Sequence, residues 1–194
     1  FDKAISYPFD SPQYPFSFTN GKCVGGIQVS LDNRIPILSI GSNRSPYQLC
    51  NKFSLNVELC SIPATLYNSD VVFASCLSSY GSIPATQWPS EGTQVKLSTL
   101  WLNEEQLKIM HLTEGIGIAY HFVKLDRDSV IIEGMNYTGP IYGYIAVNGA
   151  YNFGFDSPIR ILSLKSIKSN FKHKSEFEAL EFIKNKYDNI NLQM

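Results

Sequence analysis

The twenty residues from Arg34 to Phe53, RIPILSIGSNRSPYQLCNKF, constrain this chain more than any other stretch. A short apolar run stops at a glycine there, and a polar loop feeds straight into a helix. Ile35 to Ile40 is rich in β-branched residues and predicts a buried strand. Ser45 suits an N-cap, Pro46 suits the first helical turn, and Gln48 stands three residues after the cap, so a Ser-x-x-Gln capping box predicts a helix over 46–53. The loop Gly41-Ser42-Asn43-Arg44 then lies between a strand's carboxyl end and a helix amino end. Unpaired backbone N–H groups and the helix dipole both favour an anion or oxyanion at such a place. A plain strand-to-helix connection uses the same residue types, and the loop gains weight only from residues further down the chain.

At 194 residues, 44% of them hydrophobic and 17% charged, the chain is expected to fold as a single domain over 1–194. A formal net charge of −1 gives no electrostatic case for nucleic acid or an anionic membrane surface. No apolar stretch approaches the ~20 residues that span a bilayer, and the amino end lacks a signal-peptide layout. A cytoplasmic setting is expected, although a start at Phe1 and not Met leaves room for an upstream segment. Twelve lysines against four arginines, with frequent asparagine and isoleucine, match the bias of an AT-rich bacterial genome. Cys23, Cys50, Cys60 and Cys76 are irregularly spaced in apolar segments and read as reduced core residues. His111, His121 and His173 are scattered, so neither a metal site nor a cofactor is expected.

Prolines and aromatics crowd residues 1–26, notably YPFDSPQYPFSF, which predicts an irregular arm packed on the body. Strands are expected at 24–31, at 56–62 with Pro63 ending it, and at 69–76. Ile83 to Thr86 reads as a short strand and Pro89-Ser90-Glu91-Gly92 as a turn. Gln94 to Leu102 alternates strictly, with Val95, Leu97, Thr99 and Trp101 on one face. Asn103 caps a helix that Gly115 ends. Strands at 118–125, 129–133, 141–147 and 159–164 come next. A last helix over 175–187 opens with a Ser-x-x-Glu box and carries Phe177, Leu180, Lys184 and Tyr187 on one face as a cover. Many strands with three short helices predict an α+β fold, its mixed or antiparallel sheet closing toward a barrel.

Glu114 stands out among the charged residues. It lies at a helix carboxyl end, where the dipole disfavours negative charge, between Leu112 and Ile116. Both factors push a carboxyl group toward neutrality, as general acid/base work requires. An exposed glutamate at a fraying helix end is the plainer alternative.

Taken in order, the chain has Gly41-Ser42-Asn43 after an apolar strand, then Tyr80-Gly81-Ser82-Ile83-Pro84-Ala85-Thr86 with Pro89-x-x-Gly92. Leu100-Trp101-Leu102 ends a strand, Glu114-Gly115 ends a helix with Tyr120 beyond, and Tyr142-Gly143-Tyr144 precedes Ser157-Pro158. Over roughly residues 34–165 this order resembles the γ-glutamylcyclotransferase-like family. The resemblance implies a small mixed β-barrel with a few short helices, its core over 27–165, to which the residues themselves add the arm over 1–26 and the covering helix over 175–187. It also implies that Glu114 faces a cavity lined by the Gly41-Ser42-Asn43 loop; Ile40 and Arg44 at the ends of that loop are counted with the site, and Tyr120 and Tyr144 either orient the substrate through their hydroxyls or cap the ends of a barrel core. In the implied reaction the α-amine of a γ-glutamyl group attacks its own γ-carbonyl, leaving 5-oxoproline and expelling an amine.

Three departures bear on that expectation, the first being that the amino-terminal arm of about 30 residues has no counterpart in the smallest members of the family. The family usually has tyrosine where Ile40 stands, and aspartate where His111 stands one turn before Glu114, from which the histidine could ion-pair with the glutamate. The expected partner is a small γ-glutamyl or carboxylate ligand, with no nucleic acid or membrane partner. A non-catalytic carboxylate-binding module, or an interaction protein using the aromatic arm, is the alternative.

Overall fold

The computed structural model describes residues 2–191. From the amino end, helix α1 (Asp2–Ile5) leads to a hairpin of β1 (Phe16–Thr19) and β2 (Lys22–Gly25). Strand β3 (Ile35–Ser39) passes through a 3-10 turn (Ser42–Arg44) into α2 (Pro46–Lys52). Two long strands, β4 (Leu59–Phe73) and β5 (Ala85–Leu102), come next, then α3 (Glu104–Glu114) and β6 (Tyr120–Lys124). The chain closes with β7 (Val130–Ile132), β8 (Tyr142–Ala146), β9 (Arg160–Ile161), β10 (Ser166–Ile167), β11 (His173–Lys174) and α4 (Glu176–Asn191).

Among the described residues, eleven strands form one mixed sheet with the main order β11-β9-β4-β5-β3-β8-β6. Pairs β3–β8 and β9–β11 are parallel, while β3–β5, β4–β5 and β6–β8 are antiparallel. The α+β class with a mixed sheet and few helices is therefore as expected, but the barrel is not. The path is open, ending at β11 and β6. The reason lies in β4, which changes partners along its length: it meets β1 at Leu59–Ser61, β7 at Ala64–Leu66 and β9 at Val72. A strand that exchanges neighbours in this way branches the sheet instead of closing it.

Alternation along the central strands feeds two cores. Leu38 and Ile37, adjacent in β3, point to opposite faces, as do Trp101 and Leu100 in β5. Leu38, Ile62, Phe73, Leu97 and Trp101 belong to one cluster, and Phe16, Ile37, Leu49, Leu59, Leu100 and Met110 to the other. Both faces are covered at this point, so Leu97 to Leu102 is buried without a break although its sequence alternates. Each large apolar side chain buried here contributes about 1.5–3 kcal/mol.

Several local expectations need correction. Pro63 does not end a strand; β4 runs through it, paired with Ser98. Its carbonyl accepts from Glu133 N at 2.8 Å, so its missing N–H faces the point where the β7 ladder has stopped, which a strand tolerates. Pro89 to Gly92 is a bulge within β5, not a turn between strands: the register slips opposite Asn68, whose Oδ1 accepts from Gly92 N at 3.0 Å. Of the region 24–31 only Val24 and Gly25 are in a strand, since β2 ends at Gly25 and Gly26 takes φ +82°. The arm holds regular structure after all, and β1 pairs with β4 through the buried Phe16 and Phe18.

The helix caps divide. Asn103 and Gln106 exchange both bonds of a capping box, and Gly115 closes α3 in the left-handed conformation at φ +60°. Ser175 and Glu178 make the box that opens α4. Ser45 caps α2 in position only, because its side chain makes no capping bond. The inward face of α4 is Glu176, Ala179, Leu180 and Ile183, leaving Phe177 and Tyr187 exposed, contrary to the expected stripe. Among the cysteines Cys60 is buried, whereas Cys23 and Cys50 are exposed and so are not core residues.

Candidate active site

Residues far apart in the chain meet around a cavity of about 530 Å³. Strand β3 delivers Ile40 and the 3-10 turn, α3 delivers Glu114 from its last turn, and β6 and β8 deliver Tyr120 and Tyr144. Ile40, Gly41, Ser42, Asn43, Glu114, Tyr120 and Tyr144 all line this space. Arg44 does not; it lies on the far side of the turn, against a second cavity.

Glu114 is the most heavily partnered group. Asn43 Nδ2 donates to its Oε1 at 3.1 Å, and the Lys52 ammonium, from the end of α2, pairs with the same oxygen. Lys52 also lies 3.6 Å from Met110 Sδ, and the two charged side chains are only 8% and 13% exposed. An expectation built on the α3 dipole and the apolar neighbours Leu112 and Ile116 omitted this cation. Asn43 Oδ1 is buried without a partner among the described residues.

His111 does not reach Glu114. Its Nδ1 lies 2.8 Å from the Tyr144 hydroxyl, and its ring packs edge-on to Phe122 with centroids 4.6 Å apart. Burial pushes its pKa below the usual histidine value, which favours the neutral ring at pH 7 and leaves Nδ1 free to accept from Tyr144. The expected ion pair between His111 and Glu114 is therefore absent: the imidazole is directed along the β8 side of α3.

Three of the phenols lining the cavity stay protonated, since burial raises the pKa of Tyr7, Tyr120 and Tyr144, with the nearby Glu114 carboxylate adding to the effect on the last two. Tyr120 donates to Ala85 O at 3.1 Å, while Tyr7 accepts from Ala85 N at 2.8 Å. The two hydroxyls thus hold one residue, Ala85, on both sides at the β5 entrance. Tyr7 retains its own proton to donate, and Tyr120 retains lone pairs to accept with.

Tyr7 and Lys52 are the residues that sequence reasoning missed. The resemblance places a tyrosine at position 40, but here Ile40 supplies no hydroxyl. The arm brings Tyr7 to the same neighbourhood, and a Cβ on Gly41 would overlap its hydroxyl and sit 3.1 Å from its Cζ. Gly41 is needed for this close approach and not for a left-handed backbone, since its φ is −129°. An arm expected to pack on the body was the only available signal, and it did not single out Tyr7.

No protein-family model and no curated protein matches this sequence. Solved structures are similar to it. One is described as a gamma-glutamyl cyclotransferase: it is 16% identical, with a TM-score of 0.49 over 59% of this chain and 68% of that one. An uncharacterized protein from Homo sapiens is 16% identical, with a TM-score of 0.46 over 60% of this chain and 69% of its own. A protein from Arabidopsis thaliana, solved in solution, is 12% identical and has a TM-score of 0.49 over 86% of each chain. At these identities the likeness is one of chain arrangement, and the functional reading rests on the side chains of the cavity.

Proposed function

We propose that this chain is a single-domain, divergent γ-glutamylcyclotransferase-like enzyme that releases 5-oxoproline from a γ-glutamyl amide or a related small amide. The observation that carries the proposal is the convergence of Glu114, Asn43 and the Gly41-Ser42 backbone on one cavity. Cyclisation forms a bond between the substrate α-amine and its own γ-carbonyl carbon and then breaks the amide bond to the leaving amine. Glu114 takes a proton from the attacking amine and returns one to the departing nitrogen. The tetrahedral oxyanion between those steps faces the loop, where the Ser42 hydroxyl and nearby backbone N–H groups stabilise it. Tyr7, with a proton to give beside Gly41, and Tyr144, held by His111, orient the substrate. Each step is assigned to this chain's residues and the substrate, and the setting proposed is cytoplasmic.

One observation favours a second reading. Lys52 already occupies Glu114, as in a module that binds a small carboxylate through Lys52 without turning it over. Product analysis separates the two. Incubation with γ-glutamyl dipeptides and γ-glutamyl amines is expected to give 5-oxoproline and free amine in equal amounts. Glutamate in place of 5-oxoproline would mean hydrolysis, and binding of the panel without turnover would favour the second reading.

A further inference from the structure

Behind the loop that carries Asn43 lies a cavity of about 680 Å³, bounded by arm residues 5–13 on one side and by β4, β5 and residues 163–165 on the other. Arg44 reaches it from the end of the 3-10 turn. The residue is 6% exposed, its Nε is fully buried without a partner, and no hydrogen bond or ion pair among the described residues occupies its guanidinium. Tyr7 lines both cavities and forms the wall between them.

An arginine in this position is costly on its own. A guanidinium offers five N–H donors, and burying a charge without pairing or hydrogen bonds costs several kcal/mol. Burial brings its pKa down only to about 10, so the cation persists at neutral pH. The rest of the lining shows what would complete it. Lys165 is exposed at the mouth, while Lys96 is already taken up by Thr65 and Glu133, each at 2.9 Å. The carboxylates facing the space are Glu133, paired with Lys96, and Asp10, which is exposed. Three cations against two carboxylates leave a balance that suits a small anion of low charge and disfavours a polyanion.

We infer that this second cavity is a binding site for a small oxyanion, a carboxylate or a phosphate, held two-pronged by Arg44 at its closed end and by Lys165 at its mouth. The inference does not rest on the cyclotransferase reading. Arg44 follows Asn43 directly in the Ser42–Arg44 turn, so an occupied site braces the turn that holds Glu114.

Thermal melting of the full chain in sodium acetate, in sodium phosphate, and in sodium chloride of matched ionic strength tests it. The acetate and phosphate arms distinguish the two oxyanion classes. At least one of them is expected to raise the melting temperature above chloride in a saturable manner. Arg44→Met is expected to abolish that rise. Should Arg44→Met fail to fold, Lys165→Met, at an exposed position, is expected to weaken the saturation midpoint by about two- to fivefold. Lys3→Met and Lys52→Met, which alter the first cavity, are expected to leave the rise intact. No rise over chloride in the wild type would overturn the inference, as would a rise that survives Arg44→Met or disappears in Lys3→Met or Lys52→Met.

Discussion

Lys52 and Glu114, 62 residues apart in the chain, form an ion pair inside the candidate active site, with Asn43 donating to the same carboxylate oxygen. The pair joins the end of α2 to the end of α3, so two short helices are tied together at the residue proposed to move protons.

Removing one member leaves the other charge nearly buried. Lys52→Met is therefore expected to lower unfolding stability in urea by about 2–4 kcal/mol. Adding Glu114→Gln to that variant removes the stranded charge, so the double variant is expected to lose less than the sum of the two single losses. Strict additivity would show that the two side chains are not coupled.

Gly41 and Tyr7 offer a second coupling. Gly41→Ala places a methyl group where the Tyr7 hydroxyl lies, and is expected to cost about 1–3 kcal/mol by forcing the ring off Ala85 N. Tyr7→Phe removes the colliding oxygen. In the Tyr7→Phe background the Gly41→Ala cost is expected to shrink, and an unchanged cost would show that the arm does not pack against the loop in solution.

Glu176, at the start of α4, is 3% exposed and accepts from Ile83 N at 2.5 Å, while its Oε2 is buried without a partner among the described residues. Burial raises its pKa to about 8, despite the opposing Ile83 bond. A carboxyl group whose pKa is raised by folding favours the protonated native state. Its contribution is present in full below the unfolded value of about 4.3 and is lost as pH rises toward 8. Glu176→Gln, which mimics the protonated form, is expected to melt higher than the wild type at pH 8.5 and to lose most of that advantage at pH 4. Each pKa unit is worth about 1.4 kcal/mol, so the gain at high pH is a few kcal/mol. An equal difference at both pH values would contradict the assignment.

What the sequence made legible was local. Asn103 with Gln106, Gly115, and Ser175 with Glu178 could be read because each cue and its partner lie within a few residues, and all of them form. The strand into Gly41 and the helix from Pro46 were readable for the same reason. Failures came where a distant neighbour decided the outcome. Pro63 reads as a breaker unless one knows that β7 stops beside it, and Pro89 to Gly92 reads as a turn unless the β4 partner opposite, at Asn68, is known. Ser45 has the right identity for a capping box, yet its side chain is buried and makes no capping bond.

The same distinction holds within the site. Seven of the eight residues singled out from the sequence line the cavity, because the order of the loop, the helix end and the tyrosines along the chain was legible although none of them was decisive alone. Arg44 was grouped with its neighbours in the loop, but a one-turn 3-10 segment points successive side chains in different directions, which sends it to the other cavity. Lys52 and Tyr7 carry no local mark of their roles: one pairs across 62 residues and the other bonds across 78.

The most direct test of the central claim is 5-oxoproline release from γ-glutamyl dipeptides by the wild type and by Glu114→Gln, with the melting temperature of each recorded alongside. Release by the wild type is expected, with a fall of about 10²–10⁴-fold in a variant that remains folded, the range a positioned acid/base group contributes. Undiminished release by a folded Glu114→Gln variant, or none from a folded wild type across the panel, would contradict it.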